Sequence, residues 1–586
     1  DYFDLYKKFT YVRQESYRLN YIAKVELGES KLDNPYETFK DFYTKDYQQF
    51  VEYNIQDVEL VDKLEDKMKL IELCLTMAYE AKVNYTDVYS QVRCWDTIIY
   101  NHLLKKNIMI PPREDHDKDT QYEGAYVKDP QLGLHNWIVS FDLNSLYPHL
   151  IMQYNLSPET LVGVQPKNMG VENYLNEKFN LQWARDKNVT VAPNGSMYRR
   201  DKQGFLPELM EKMYGDRVVF KKKTIEAKKE FQKTKDPIYK NEISRCNNIQ
   251  MAKKIALNSA YGAIGNQYFR YFDVRIAEAI TLGGQLSIRW VERDVNRFMN
   301  KLLNTDNVNY VVASDTDSIY LKLDKLVEKV CKDKSPQQIT DFINKAAEDK
   351  IQKVIDDSFK NLAKYVNAYQ QKMIMKREAI ANKAIWVAKK RYMMNVFDEE
   401  GIRFDIPKLK IMGVEAVKSS TPEVCRGKIK DAIRVIMNDS EDALIKFVAD
   451  FKEVFKTLSP EEVAFPRSCN YIDKYVDPNS IYKKGTPIHV KGALVYNHHI
   501  LKNKLQMKYP LIKDGDKIKF LMLKQPNTVK DTVISFATRI PYEFDLHKYV
   551  DYETQFTKTF TDPLRFVLDS IGWKLEREAT LESFFV

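Results

Sequence analysis

Asp315 and Asp317 flank Thr316 where two apolar runs meet, Tyr310-Val311-Val312-Ala313 and Ile319-Tyr320-Leu321. Two carboxylates on one tight turn repel each other and gain little as a fold element. They make sense when a divalent cation sits between them and a further acid. Asp142 is the candidate third acid. It ends the apolar run Trp137-Ile138-Val139-Ser140-Phe141, with Pro148 expected to close the turn that follows. The bland alternative for a lone Asp-x-Asp is a solvated turn, but here the apolar flanks bury the hairpin and hold its acids at a sheet edge. A second grouping is cationic. Arg217 and Lys221 lie one helical turn apart, and Lys254, Asn258 and Tyr261/Gly262 recur at i, i+4 and i+7/i+8. A third is Tyr53 with Asp57, a phenol and a carboxylate one turn apart, a weak pattern that an ordinary helix face explains better when taken alone.

These groups need elements to hold them. The runs around Asp315 and Asp317 predict a β-hairpin, and 137–142 predicts a strand. Residues 205–232 and 238–266, broken near Asp236-Pro237, predict a helical hairpin that would set two cation-bearing faces opposite each other. The periodicity of 51–61 predicts an amphipathic helix inside a 1–110 region of mixed strand-like and helical character. A polar insertion with a turn at Pro193-Asn194-Gly195 follows the first acidic strand, and 335–375 reads as helical. Lys389-Lys390-Arg391-Tyr392 is expected inside a strand, where the charges are costly unless they meet an anion. From residue 411 the pattern gives an amphipathic helix pair, with Thr421 a candidate cap, and then a Lys-rich mixed region.

At 586 residues the chain is too long for one core and should form several domains. The formal charge of +9 suits a polyanionic partner, though weakly, and the 37 Tyr and 29 Phe can serve both cores and base stacking. Cys74, Cys94, Cys246, Cys331, Cys425 and Cys469 show no Cys-x-x-Cys, which argues against a disulfide framework and against zinc or iron–sulfur sites. There is no signal peptide and no apolar run near the ~18 residues of a membrane span, so a reducing cytosolic compartment is expected.

Asp142-Leu143-Asn144-Ser145-Leu146-Tyr147-Pro148 resembles motif A of family B DNA polymerases, Lys254 through Gly262 resembles motif B, and Ser314-Asp315-Thr316-Asp317-Ser318 resembles motif C, in the family's order. The resemblance is closest to the replicative polymerases of T-even-type phages and runs over nearly the whole chain. It implies an α+β multidomain fold, a right-hand polymerase (palm, fingers, thumb) preceded by the C-terminal part of an RNase H-like 3′-5′ exonuclease domain. The expected divisions are 1–110 for that exonuclease part, 111–135 for a linker with a template-contact loop, 136–205 and 267–410 for the palm, 206–266 for the fingers, and 411–586 for the thumb with a clamp-binding tail. The chain opens at Asp1 inside a region that reads as ordered, so an N-terminally truncated or split form is expected.

What the resemblance implies for chemistry is template-directed addition of dNTPs to a primer 3′-OH with two Mg²⁺ ions, Mn²⁺ being a substitute. Asp142 and Asp317, with the Leu143 carbonyl, would be the metal ligands, and Asp315 a supporting acid. Lys254, Arg217 and Lys221 would bind the triphosphate, Lys254 also as general acid, and Ser145 and Leu146 would offer backbone N–H groups. Tyr147 would exclude a 2′-OH, while Tyr261 and Gly262, supported by Asn258, would line the nascent base pair. Tyr122 and Gly124 would touch template, and Lys389, Lys390, Arg391 and Tyr392 the primer end. Tyr53 and Asp57 resemble the third exonuclease motif. The family's two earlier exonuclease motifs find no match before residue 53, so proofreading is expected to be absent or crippled. Leu581, Phe584 and Phe585 resemble a sliding-clamp-binding peptide. The implied partners are primer-template DNA, dNTPs, the clamp and a missing exonuclease piece, with no membrane, in the cytoplasm of an infected bacterial host. The alternatives are a non-catalytic DNA-binding remnant or one half of a split polymerase. A reverse transcriptase-like enzyme would carry Tyr-x-Asp-Asp, and a stand-alone metal nuclease would need more acids than Asp57 before residue 110.

Overall fold

The computed structural model describes the chain except residues 11, 37, 115–120, 166–168 and 576–586. The chain is a mixed helix-and-sheet, multidomain protein with three antiparallel sheets among the described residues. In chain order the strands are β1 (Gly133–Leu143), β2 (Leu161–Val164), β3 (Val189–Val191), β4 (Ser196–Arg199), β5 (Val311–Asp315), β6 (Ser318–Lys322), β7 (Met375–Ala388), β8 (Arg391–Glu399), β9 (Ile402–Met412), β10 (Phe465–Ser468), β11 (Lys517–Met522) and β12 (Val533–Phe536). The central sheet runs β5-β6-β1-β7-β8-β9, so β1 lies inside it, between strands far away in sequence.

That position explains why β1 reads as nearly continuous apolar sequence. Val139, Phe141 and Leu143 enter the main core on one face, whereas Ile138 enters a smaller core with Tyr320, Trp386 and Tyr392 on the other. Ser140 and Asp142 share the second face by the period of two. The 30-residue helix Val274–Leu303 backs the main core. At its Gly283 and Gly284 the helix Leu146–Tyr154 comes so close that an added Cβ would meet Leu150 or Leu146 at 3.3–3.4 Å. One edge of the sheet, β5, is covered by a strap. The Lys128 and Gln131 N–H groups donate to Ser314 and Val312, and the Thr316 N–H donates to Tyr126. The other edge, β9, carries Pro407, Lys408 and Lys410, residues that discourage pairing with a further strand.

Two long helices, Phe205–Thr234 and Pro237–Ile264, fold back on each other. Lys235 in the left-handed conformation ends the first, and Asp236 caps the second by accepting from the Ile238 N–H, with Pro237 at the first helical position. The C-terminal unit has its own core around helices Glu423–Asn438, Glu441–Phe455 and Ile488–Lys502 and the sheet β10-β11-β12. No helix among the described residues is long and apolar enough to cross a membrane.

Several local expectations are corrected. Before residue 110 the described residues form helices and no strand; the Tyr-rich runs are helix faces that pack as aromatic edges, as Phe42 does on Phe50 and Tyr53. Pro148 does not close a turn but occupies the first turn of Leu146–Tyr154, where its missing N–H costs nothing. Residues 161–199 are not merely a polar insertion, because β2, β4 and β3 form a sheet and β3 is buried throughout. Helix ends at Tyr365, short of 375. Thr421 is buried and does not cap; Pro422 precedes the helix instead.

Candidate active site

β1 pairs with β6 so that Asp142 stands opposite Ser318, and the Leu143 N–H donates to the Asp317 carbonyl at 2.8 Å. The tip of the β5–β6 hairpin thus abuts the end of β1, which brings together Asp142 and Asp317, 175 positions apart in the chain. Thr316 at the tip adopts a left-handed φ of 55°, a strained value for a β-branched residue, and its N–H is tied to Tyr126.

Two other nearby acids are held by lysines. Asp315 pairs with Lys390 at 2.9 Å, and Glu378 on β7 pairs with Lys410 at 2.7 Å while accepting from the Ser140 hydroxyl at 3.0 Å. Asp142 and Asp317 make no ion pair among the described residues. Burial first, then the Asp317 and Glu378 charges, push the Asp142 carboxyl up to about 7. Burial first, opposed by a backbone N–H and reinforced by Asp315 and Glu378, pushes Asp317 up to about 6. Two partly buried carboxylates, each raised by burial and by neighbouring acids, form a donor set that a divalent cation would relieve. Among the described residues, no three acidic, His or Cys side chains form a ready-made cage. Protein oxygens alone would therefore leave coordination positions open, which is how Mg²⁺ is commonly held together with substrate phosphates.

Glu378 went unassigned in the sequence. Its signal was an acid within an otherwise strand-like run, Lys376-Arg377-Glu378-Ala379-Ile380, and its pairing with Lys410 could not be read from spacing.

Beside the acids, Tyr147 lies half-buried with its ring centroid 4.6 Å from that of Tyr261. The Tyr261 hydroxyl is 3.3 Å from that of Tyr122, and burial leads the rise in the Tyr261 phenol's pKa. Gly124 passes its carbonyl to Gln285 at 2.7 Å, holding the loop against Val274–Leu303. Ser145 takes a left-handed φ of 46° just before the helix that begins at Leu146. On the helical hairpin, Asp216 and Lys253 meet across the two helices at 3.3 Å, so Arg217 and Lys254 stand at the same level. Arg217, Lys221 and Lys254 have no ion-pair partner among the described residues, and the Arg217 Nε is buried without an acceptor. Asn258 is exposed on the same helix, and a Cβ at Gly262 would meet Gln91.

Lys389 and Lys390 are not inside a strand. They form the two-residue turn between β7 and β8, Lys390 at φ 60°, and this frees their ammonium groups to reach Asp129 and Asp315. Arg391 starts β8 and grips Glu415; Tyr392 is buried with its hydroxyl 2.8 Å from that of Tyr320. Tyr53 and Asp57 share the helix Tyr47–Met68, but a lysine occupies them. Lys31 pairs with Asp57 at 2.6 Å and lies 4.7 Å from the centre of the Tyr53 ring. Leu581, Phe584 and Phe585 lie outside the described residues.

The family model for DNA polymerase family B matches residues 83–346. The chain is 33% identical over its whole length to the DNA-directed DNA polymerase of Escherichia phage RB69 and to that of Enterobacteria phage T4, and spans 70% of each relative. It is also 26% identical to DNA polymerase 1 of Pyrococcus abyssi, over 78% of this chain and 48% of that one.

Proposed function

From the premise that the chain belongs to DNA polymerase family B, we propose that this enzyme extends a primer on a DNA template by two-metal-ion phosphoryl transfer during phage replication. The observation that carries the reading is Asp142 beside Asp317, the two acids of the cluster left without a cation partner. The central sheet with the segments 136–205 and 267–410 serves as palm, the helical hairpin in 206–266 as fingers, and 411–586 as thumb. Residues 1–110 correspond to the end of an exonuclease domain, joined through the 111–135 linker.

Asp142, Asp317 and the Leu143 carbonyl would hold Mg²⁺, with Mn²⁺ as substitute. Two such ions would supply activation of the primer 3′-OH and charge neutralisation of the departing pyrophosphate. The chain's own groups do the rest. Asp315 and Glu378 keep the site negative while Lys390 and Lys410 limit that charge. Arg217, Lys221 and Lys254 receive the β- and γ-phosphates, and Lys254 gives a proton to the leaving oxygen. Ser145 and Leu146 present N–H groups to the phosphates. Tyr147 sits beneath the sugar, wedged between Tyr261 and the Gly284 backbone, so an extra 2′-hydroxyl finds no room. Tyr261, Gly262 and Asn258 border the new base pair, and Tyr122 and Gly124 the template. Lys389, Lys390 and Arg391 would meet the primer end, with Tyr392 packed beneath them, contacts that are salt-sensitive and indifferent to sequence. The C-terminal tail, with Leu581, Phe584 and Phe585, would bind a sliding clamp in the cytoplasm of an infected bacterium. Lys31 on Asp57 argues against trimming by this chain unaided.

The test is extension of a primed template with Mg²⁺ and dNTPs. Asp317→Ala should drop the rate by on the order of a thousandfold, and a mismatched 3′ end should remain untrimmed. Tight, salt-sensitive DNA binding without extension by the wild type would favour a remnant or a polymerase half awaiting its partner.

A further inference from the structure

The return helix of the hairpin, Pro237–Ile264, lies along the N-terminal helices through polar contacts at five positions and a close approach at a sixth, Gly262. Glu72 accepts from the Ser244 hydroxyl at 3.1 Å and the Asn248 amide at 2.9 Å. Glu80 pairs with Lys253 at 2.8 Å. The Trp95 indole donates to the Ala256 carbonyl at 3.2 Å and the Ser259 hydroxyl at 3.1 Å, and Gln91 fills the space in front of Gly262. At 1.5 Å per residue this seam covers about 27 Å of helix.

Lys253 is its pivot. Its side chain is 8% exposed, whereas its partners Glu80 and Asp216 are 40% and 42% exposed. The cation is therefore committed to the interface, and its acids stay wet. Through Asp216 it also ties the outgoing helix, at the residue beside Arg217. Lys254 follows Lys253 and points about 100° away around the helix. Next to the trio lies a cavity of about 220 Å³ lined by Lys253, Glu80, Asp216, Trp95 and Met213. Packing leaves slack there, so at this level of the seam the polar contacts are what join the helices, while Leu257, Ala260 and Trp95 pack in the shared core further along.

We propose that the N-terminal helices act as a seat for the nucleotide-binding hairpin, with Lys253 a positioning residue that sets where Lys254 and Arg217 stand before the nucleotide arrives. The proposal rests on the reading that this hairpin receives the triphosphate. It gives residues 70–104 a part in polymerisation that is independent of any hydrolytic chemistry. Lys253 touches no reacting atom; it acts through the helices it joins.

The experiment is single-nucleotide incorporation by the full chain on a primed template, with the dNTP titrated. Lys253→Met, which keeps the aliphatic stem, should raise KM for dNTP by about tenfold with kcat changed less than about threefold. DNA affinity should be unchanged, Lys253→Arg should restore KM to within about threefold, and Glu80→Gln should move KM in the same direction. Lys254→Ala is run beside them. If it alters incorporation while Lys253→Met leaves KM alone, the seat is refuted and the hairpin reading stands. If Lys254→Ala has no effect, the hairpin reading itself fails. Parallel losses of kcat, DNA affinity and thermal stability in Lys253→Met that Lys253→Arg does not rescue would reduce Lys253 to a structural residue and overturn the proposal.

Discussion

Replacing Asp317 by Asn should stabilise the metal-free enzyme while abolishing its activity. Asp142 titrates near 7 against an ordinary 3.8, chiefly through burial, next through Asp317 and then Glu378. Between those values the folded protein keeps a proton that the unfolded chain has released. Stability is therefore complete at low pH and is lost as pH rises through that window. Roughly three units at 1.36 kcal/mol each set a ceiling of about 4 kcal/mol above neutral pH. Most of that belongs to burial, which the substitution leaves in place. Asp317 is the second cause, and the partly open site screens its charge, so about 1 kcal/mol is recoverable. Asp317's own carboxyl, raised to about 6, ceases to ionise in the variant, which adds with the same sign. In a chain of this size the gain corresponds to about 1–2 °C in Tm. The assay is thermal unfolding in EDTA at about pH 5 and about pH 8, which bracket both shifted groups. Asp317→Asn should melt higher than wild type at the upper pH and show little gain at the lower, where both acids are mostly protonated. Added Mg²⁺ should raise the wild type's Tm at the upper pH and leave the variant's unchanged. A variant no more stable at the upper pH, or an equal gain at both, would refute the electrostatic account.

Other outcomes follow from neighbouring geometry. Tyr147→Ala should lower the ratio of kcat/KM for dNTP over rNTP by on the order of a hundredfold, an effect visible in paired incorporation assays; an unchanged ratio would remove Tyr147 from sugar selection. Gly413 has φ 67°, and a Cβ there would strike the Lys390 carbonyl. Gly413→Ala should thus displace the Lys389-Lys390 turn and weaken primer-template binding by about tenfold, measured by fluorescence anisotropy. Asp398 is 1% exposed and holds Arg377, Arg403 and the Gly401 N–H. Asp398→Ala should cost about 3 kcal/mol in denaturant unfolding, because the buried Arg377 loses its counter-charge while Arg403 keeps Asp341.

Where spacing is local, the sequence carried the structure. The hairpin over 311–322 announced itself through apolar flanks around two acids, and the helix pair through its break at Asp236-Pro237. Lys389-Lys390 misled because four polar residues between two strong strands look like strand continuation. Only the left-handed Lys390, without a glycine to mark it, makes the turn. The aromatic runs before residue 110 misled differently: Tyr and Phe favour strands on average, and helix-to-helix packing overrode that preference. The candidate site was legible as residue types, not as a place. Nothing near Asp142 encodes that β1 meets β6, that Glu378 lies alongside, or that Lys31 covers Asp57. Those are long-range pairings, decided by which strands share a sheet.

The interior place of β1 bears on how the protein is born. Its two neighbours, β6 and β7, begin 175 and 232 residues after β1 ends. At about 5–20 residues per second, β1 leaves the ribosome some 9–35 s before β6 begins to follow. During that interval an apolar strand with both edges unpaired is exposed to misassociation or to chaperones. The Asp142–Asp317 pair therefore cannot exist on a nascent chain until synthesis has passed residue 317, and contacts this distant in sequence also close slowly. Slower translation between residues 143 and 318 should accordingly lower the yield of active enzyme more than an equal slowing after residue 412.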